Sequence, residues 1–348
     1  MSFKTRLIRF VEAQWQHKGI FSTLLLPFAG LTALFVYIKR WRYRHQKSAA
    51  YPYPPVIVVG NLVVGGTGKT PVVIALVKAL QASGRTPGVI SRGYGASIKG
   101  HAVVGQGLIS PKKIGDEPAL IANTTQVPVA AHPSRLLALS ALCQQFPETD
   151  VVVSDDGLQH LALPRHIEII VQDERGLGNE RLLPAGPLRE PASKLKQIDY
   201  LVVNCTAQHM AHPSISVGQA AIEMRLQPAV MHHLQSQQAL PFADWLQRYG
   251  QQSIGALAAI GQPQRFFQML EQAGLILEQK IALPDHDPLD SKPFSALKTE
   301  LVLITAKDAI KCHASSDSRL WFVEPDTVFS DEGAWLRELA DKLPTVSS

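Results

Sequence analysis

The sequence predicts an α/β protein, a P-loop NTPase-like, mostly parallel sheet with helices on both faces. Three observations predict it. Short apolar runs rich in β-branched residues recur at Val56–Val59, Val89-Ile90, Val151–Val153, Ile167–Val171 and Leu201–Val203, as expected of strands buried on both faces. Helix-like stretches separate several of them, the alternation that wraps a parallel sheet. The first run leads directly into a glycine-rich loop, Gly65-Gly66-Thr67-Gly68-Lys69-Thr70. The chain of 348 residues is long enough for two domains, and 46% hydrophobic against 18% charged residues excludes a disordered or coiled-coil chain. Three cysteines without CxxC spacing imply neither a disulfide framework nor a zinc site.

In chain order, residues 1–50 form a basic and apolar segment. Gly19 to Ile38 carries no charge over twenty residues, enough for a helix of ~30 Å. Lys4, Arg6, Arg9 and Lys18 precede it and Lys39 to Lys47 follow, with Trp15, Trp41 and Tyr43 at interfacial positions. Phe3, Leu7, Val11 and Trp15 recur every four residues, the pattern of a helix lying in a headgroup plane. A membrane anchor, spanning or inserted from one side, is the favoured reading, with a buried soluble helix as its competitor. Basic residues after the run argue against a cleaved signal peptide and keep the body cytoplasmic. Residues 1–47 hold nine Lys/Arg and one acid, so all of the net charge of +5 arises there. The body has no basic surplus for a nucleic-acid partner.

After the stiff Tyr51–Pro55 linker, residues 51–204 read as the P-loop domain. The helix after the loop carries Pro71 in its first turn, runs to Leu80 and stops near Gly84. The pattern loosens over 205–253, read as a linker. Alternation resumes at Ala256–Ile260, Arg265–Ala273, Leu301–Ile304 and Leu320–Val323, which makes 254–348 a second, smaller α/β domain.

The loop carries the first piece of chemistry. Val63, Val64, Gly65, Gly66, Thr67 and Gly68 can turn their N–H groups onto phosphate oxygens, Lys69 can reach the β- and γ-phosphates, and the Thr70 hydroxyl can ligate Mg²⁺. ATP and Mg²⁺ are the implied substrate and cofactor. The usual spacing asks for glycine where Val63 stands. Two acid pairs could serve the metal and the nucleophile. Asp155 and Asp156 end a buried strand, so a doubly wound sheet brings them to the loop; an Asp-Gly turn is the plain alternative. Asp116 and Glu117 precede an apolar helix, where such acids also occur as ordinary helix starts. His160, His286 and Glu190 lie in polar loops marked by Pro and Gly.

Together these segments resemble the tetraacyldisaccharide 4′-kinase (lipid A 4′-kinase) family of Gram-negative bacteria. The resemblance rests on Gly60–Pro71 (GNLVVGGTGKTP), Ser91–Gly95 (SRGYG), Gly115–Pro118 (GDEP), Asp155–His160 (DDGLQH) and Pro184–Glu190 (PAGPLRE). It continues in Ala259–Phe267 (AIGQPQRFF), Leu283–Asp287 (LPDHD) and Thr305–Lys311 (TAKDAIK). Val63 fits that family's own loop; Leu158 and Ala306 depart from its pattern, where an aromatic and an acid are expected. The resemblance implies an ATP-dependent kinase that phosphorylates the 4′-hydroxyl of an acylated glucosamine disaccharide 1-phosphate, giving lipid IVA at the cytoplasmic face of the inner membrane. It further implies Asp116 as catalytic base with His286 as its partner, Glu117 as a Mg²⁺-site acid, and Asp155 and Asp156 as Walker B acids. Arg92, Tyr94, Arg135, Gln159, His160 and Glu190 are candidates for the sugar and its 1-phosphate. His286 lies in the second domain, so the site is expected to be completed by closure of the two domains.

The rival from another class is a membrane-associated switch ATPase acting through a protein partner. Such proteins carry a lysine just before the Gly-Gly of the loop, where this chain has Val64. A non-catalytic nucleotide-binding scaffold is the second rival, and it would have no use for the GDEP acids. No obligate protein partner follows from the sequence.

Overall fold

The computed structural model describes residues 10–44, 53–206, 221–285, 287, 289, 291–312 and 316–344. The strands are β1 (Val56–Gly60), β2 (Pro87–Ser91), β3 (Val103–Gln106), β4 (Pro128–Ala131), β5 (Val151–Asp155), β6 (Ile167–Asp173) and β7 (Tyr200–Asn204). They continue with β8 (Ile222–His233), β9 (Ala239–Pro241), β10 (Ile254–Ala258), β11 (Gln279–Ala282), β12 (Leu301–Thr305) and β13 (Leu320–Phe329). The helices are α1 (Ile20–Leu24), α2 (Leu26–Arg44), α3 (Lys69–Ala82), α4 (Pro111–Ile114), α5 (Asp116–Thr125) and α6 (Arg135–Gln145). After them come α7 (Phe242–Tyr249), α8 (Pro263–Gln272), α9 (Ser291–Ala296), α10 (Ala306–Ala309) and α11 (Ala334–Lys342).

Among the described residues one sheet runs through the molecule in the order β11-β10-β12-β13-β8-β7-β6-β1-β5-β2-β4-β3, with β9 on β8. The apolar runs form its buried middle: β1 lies between β5 and β6, parallel to both, and all five of its residues are buried. Their backbone groups are thus paired on both sides while their side chains meet helices. Parallel pairing also brings the strand ends that matter to one edge, since Val59 is in register with Asp155.

The expected second domain is a lobe built on the same sheet. The long antiparallel pair β8–β13 joins the halves, running from Trp321 opposite His233 to Phe329 opposite Met224, with its register irregular at Glu324/Pro325. Proline has no N–H for the ladder, which accounts for the break. The first lobe packs Val72, Val73, Leu76, Val77 and Leu80 of α3 against β1 and β5. The second packs Phe266, Phe267 and Leu270 of α8 against Trp245 and Trp321.

Two boundaries change. The segment 205–253, expected as a linker, carries β8, β9 and α7 in its described part. The last helix, α11, leaves the C-terminal lobe and buries Trp335, Leu336 and Leu339 in the first core beside α3. The Trp335 ring lies 5.5 Å from that of Tyr200 and 5.3 Å from that of Phe329.

The uncharged N-terminal run does not form one helix. It breaks at Leu25 between α1 and α2, one residue before Leu26 and two before Pro27, which has no N–H for the α-helical ladder. No helix of the described residues is long and apolar enough to cross a membrane. Phe3, Lys4, Leu7 and Lys47 lie outside the described residues.

Candidate active site

The phosphate loop is fixed from behind. The Asn61 amide donates to the carbonyls of Val63 (2.8 Å) and Gly65 (3.2 Å), and the Asn204 amide at the end of β7 donates to Thr67 (3.2 Å). Gly68 caps α3 at φ +92°, and a Cβ there would stand 2.2 Å from the Asn204 amide nitrogen, so both conformation and space demand glycine. Val63 is buried among Leu62, Leu158 and Leu188, and the Val64 N–H donates to the Pro187 carbonyl (3.0 Å). This packing against the 182–188 loop explains a valine where a standard phosphate loop has glycine. Leu158 has a packing role of its own, lying against Gly60.

The strand-end acids divide their tasks. Asp156 takes a left-handed conformation (φ +50°), 3.4 Å from Lys69 Nζ and 3.3 Å from Arg189. Burial works against its ionisation, but Lys69, Arg189 and Arg135 outweigh it and hold the carboxyl below its usual range. Asp155 is buried; one carboxylate oxygen accepts from the Ser91 hydroxyl (3.2 Å) and the other has no hydrogen-bond partner among the described residues. Burial, and then the negative charge of Glu117, pushes Asp155 up to about 7.

The second acid pair opens α5, where carboxylates suit a helix N-terminus. Each faces a lysine from the other lobe. Asp116 lies 3.8 Å from Lys311, and Glu117 lies 3.3 Å from Lys307. Lys307 is equally close to Asp285 (3.3 Å), while Lys311 also reaches the fully buried Asp308 (3.3 Å). Desolvation works against the charge on Lys307, yet Glu117 and Asp285 raise its pKa. His286, the expected partner of Asp116, lies outside the described residues.

Between the lobes is a cavity of about 280 Å³, lined by Gly66, Lys69, Thr70 and Glu117 on one wall and by Gln262 and Lys307 on the other. Gln262 bridges the walls, donating to the Gly66 carbonyl and to Asp173, both at 2.7 Å. Arg265 donates to the Asn204 carbonyl (2.5 Å). Further into the cavity, Ile74, Leu226, Phe266 and Met269 offer an apolar surface.

The candidate substrate residues scatter. Arg92 and Tyr94 are exposed on the loop after β2. Arg135 is buried and spends its guanidinium on the carbonyls of His132 (3.1 Å), Asp155 (3.2 Å) and Asp156 (3.3 Å), so it braces the acid loop and is not presented to a substrate. Gln159 donates to the Asn61 carbonyl (3.2 Å), and its own carbonyl accepts from Lys39 (2.8 Å). Burial, then Arg135 and Lys39, push His160 down to about 4. Glu190 is buried and paired with Arg40 of α2 at 2.5 Å. Thus the N-terminal helices contact the segments that carry Gln159 and Glu190, and Ser22 of α1 donates to the Ala185 carbonyl (2.5 Å) beside them.

The sequence matches the family described as Tetraacyldisaccharide-1-P 4′-kinase over residues 21–344. The chain belongs to that family. A tetraacyldisaccharide 4′-kinase of Bordetella petrii is 50% identical over 333 residues, covering 94% of each chain. One from a Janthinobacterium species is 41% identical and covers 98% of this chain and 97% of its own. Among solved structures, LpxK from Aquifex aeolicus in complex with ATP superposes with a TM-score of 0.76 at 26% identity, covering 93% of this chain and 99% of that one. Against this family background, Asp173, Arg189, Gln262, Arg265, Lys307 and Lys311 are the side chains that sequence reasoning did not single out. All but Asp173 lie inside motifs quoted for the resemblance or next to their named acids, and that proximity was the available signal.

Proposed function

We propose that this chain is an ATP-dependent tetraacyldisaccharide 4′-kinase. It transfers the γ-phosphoryl group of ATP to the 4′-hydroxyl of a tetraacylated glucosamine disaccharide 1-phosphate. The observation that carries this reading is the inter-lobe cavity, which sets Lys69, Thr70 and Glu117 across from the second-lobe residues Gln262 and Lys307. The bond from the γ-phosphorus to the bridging oxygen breaks, a bond to the sugar oxygen forms, and ADP leaves. Asp116 accepts the hydroxyl proton, with His286 as its partner. Lys69 and the loop N–H groups stabilise charge on the phosphates, and positioning supplies most of the remaining rate.

Hard oxygen donors suit Mg²⁺, and the Thr70 hydroxyl, Glu117 and Asp155 are of that type. The unpartnered oxygen of Asp155 and the mutual repulsion of Asp155 and Glu117 are what a bound cation would satisfy. Among the described residues no group of three or more His, Cys, Asp or Glu side chains is gathered to hold a metal ion unaided, so phosphate oxygens complete the set. When bound, Mg²⁺ supplies charge neutralisation at the phosphates. Asp156, engaged by Lys69 and Arg189, acts through those two cations.

The lipid is met from the membrane side. Ile20, Leu24, Leu31 and Phe35 of α1 and α2 are more than half exposed, an apolar surface that inserts into one leaflet from the cytoplasmic face. In this reading exposed Arg92 and Tyr94 meet the sugar and its phosphate, and the two lobes close on ATP and lipid.

The test supplies detergent-dispersed tetraacyldisaccharide 1-phosphate, Mg²⁺ and γ-labelled ATP, and separates lipid from free phosphate. Label on the lipid supports the reading. Label released only as free phosphate contradicts it.

A further inference from the structure

We infer that Lys307 contacts the transferred phosphoryl group, as a second lysine presented by the C-terminal lobe opposite Lys69. The inference rests on the reading of the inter-lobe cavity as a nucleoside triphosphate site.

Placement is the first argument. In the transfer the γ-phosphoryl lies between the phosphate loop, which holds the rest of the nucleotide, and the sugar hydroxyl held at Asp116. Two cations border that path from opposite lobes. Lys69 and Lys307 line the same cavity, and Lys307 pairs with Glu117, the residue next to Asp116. Lys311, four residues further along, pairs with Asp116 itself. Helix α10 carries Lys307 and the turn after it carries Lys311, so the two lysines meet the two acids along the route of the phosphoryl group. Arg265, the other cation of that wall, is directed to the Asn204 carbonyl and Asp173 instead.

The second argument is how differently the two lysines are held. Lys311 is tied to Asp308, a fully buried carboxylate that also accepts from the Ala259 N–H (3.0 Å) and the Thr305 hydroxyl (2.8 Å). It is anchored in its own lobe and serves as a positioning residue for Asp116. Lys307 is held by carboxylates open to solvent. Its ammonium is shared at 3.3 Å each between Glu117 and Asp285, whose side chains are 35% and 39% exposed, where that of Asp308 is fully buried. A compact ammonium on a flexible stem can turn from these carboxylates to a phosphate oxygen at little cost. Beside Glu117, Asp155 and Asp156, Lys69 and the proposed Mg²⁺ would meet the phosphate oxygens from the first lobe, and Lys307 is the cation presented to them from the second.

A lysine that merely braces the lobes would serve any nucleotide equally; one that meets the γ-phosphate would not. The test is calorimetric titration of the full chain with ADP and with a non-hydrolysable ATP analogue, both with Mg²⁺, for wild type and Lys307→Met. Thermal melting verifies that the variant folds, with Lys307→Gln as the substitute if it does not. The expected result is a loss of roughly tenfold or more in affinity for the triphosphate, with ADP affinity unchanged. Equal losses for both nucleotides would make Lys307 a brace and overturn the inference, as would no loss for either. Failure of the wild type to bind either nucleotide would overturn the reading of the cavity, and this inference with it.

Discussion

The two walls of the inter-lobe cavity reach the same chemistry by different routes. The first wall is built locally: β1, the phosphate loop and the first turn of α3 follow one another, and β5 delivers Asp155 and Asp156 beside them through parallel register. The second wall is assembled by topology. Gln262 arrives from the connection between β10 and α8 and Lys307 from α10 after β12, and the β8–β13 ribbon sets them against residues some 200 positions earlier. The first wall therefore holds its geometry through the sheet core, while the second depends on a few polar contacts across a gap. Damage to the first should abolish chemistry; damage to the second should mainly weaken the grip on nucleotide.

The sharpest break falls on the first wall. Asp116→Asn, which keeps the shape of the side chain and removes its basicity, should lower turnover by ~10²–10⁴-fold in the labelled-lipid assay. Lys69→Ala should follow, at ~10²–10³-fold in kcat, because a preorganised cation for the phosphates is lost. Arg40→Ala extends the comparison to the N-terminal helices. It leaves Glu190 buried without its 2.5 Å partner, so chemical denaturation should show a loss of about 1.5–3 kcal/mol and activity should fall even in detergent. An unchanged stability would make α2 a membrane element alone.

On the second wall, Gln262→Ala removes the two bonds that join α8 to Gly66 and Asp173. It should raise the Kd for ATP by about fivefold with kcat nearly unchanged. A further effect concerns pH. His160 is pushed from 6.5 to about 4 in the fold, so below 6.5 the unfolded chain binds a proton that the native one refuses. Stability should thus fall as the pH drops from 6.5 towards 4, and His160→Gln should flatten that part of a melting-temperature profile.

Legibility in the sequence follows the same division. The apolar runs at Val56–Val59 and Val151–Val153 are strands, because four or three consecutive β-branched residues suit nothing else so well. The helix from Lys69 and its stop near Gly84 were equally plain. β4 was missed because its Pro-Val-Ala-Ala is too short and too small to stand out, and β8 because Gln, His and Pro228 interrupt its pattern. The Asp155-Asp156 pair could be read as acids at a strand end, but not that the left-handed turn of Asp156 would send the two apart. Arg135 looked like a phosphate ligand, since burial against three carbonyls leaves no trace in composition. Lys307 and Lys311 were visible only as part of a motif. Their partners are set by tertiary structure, which no local spacing encodes.

The central claim is that both walls hold the nucleotide, and amide hydrogen exchange tests it most directly. The full chain would be compared with and without a non-hydrolysable ATP analogue and Mg²⁺. The account predicts slowed exchange in the loop over 65–70 and, together with it, in 260–265 and 305–311 of the C-terminal lobe. Protection confined to the phosphate loop would contradict it, leaving the C-terminal lobe a bystander to ATP.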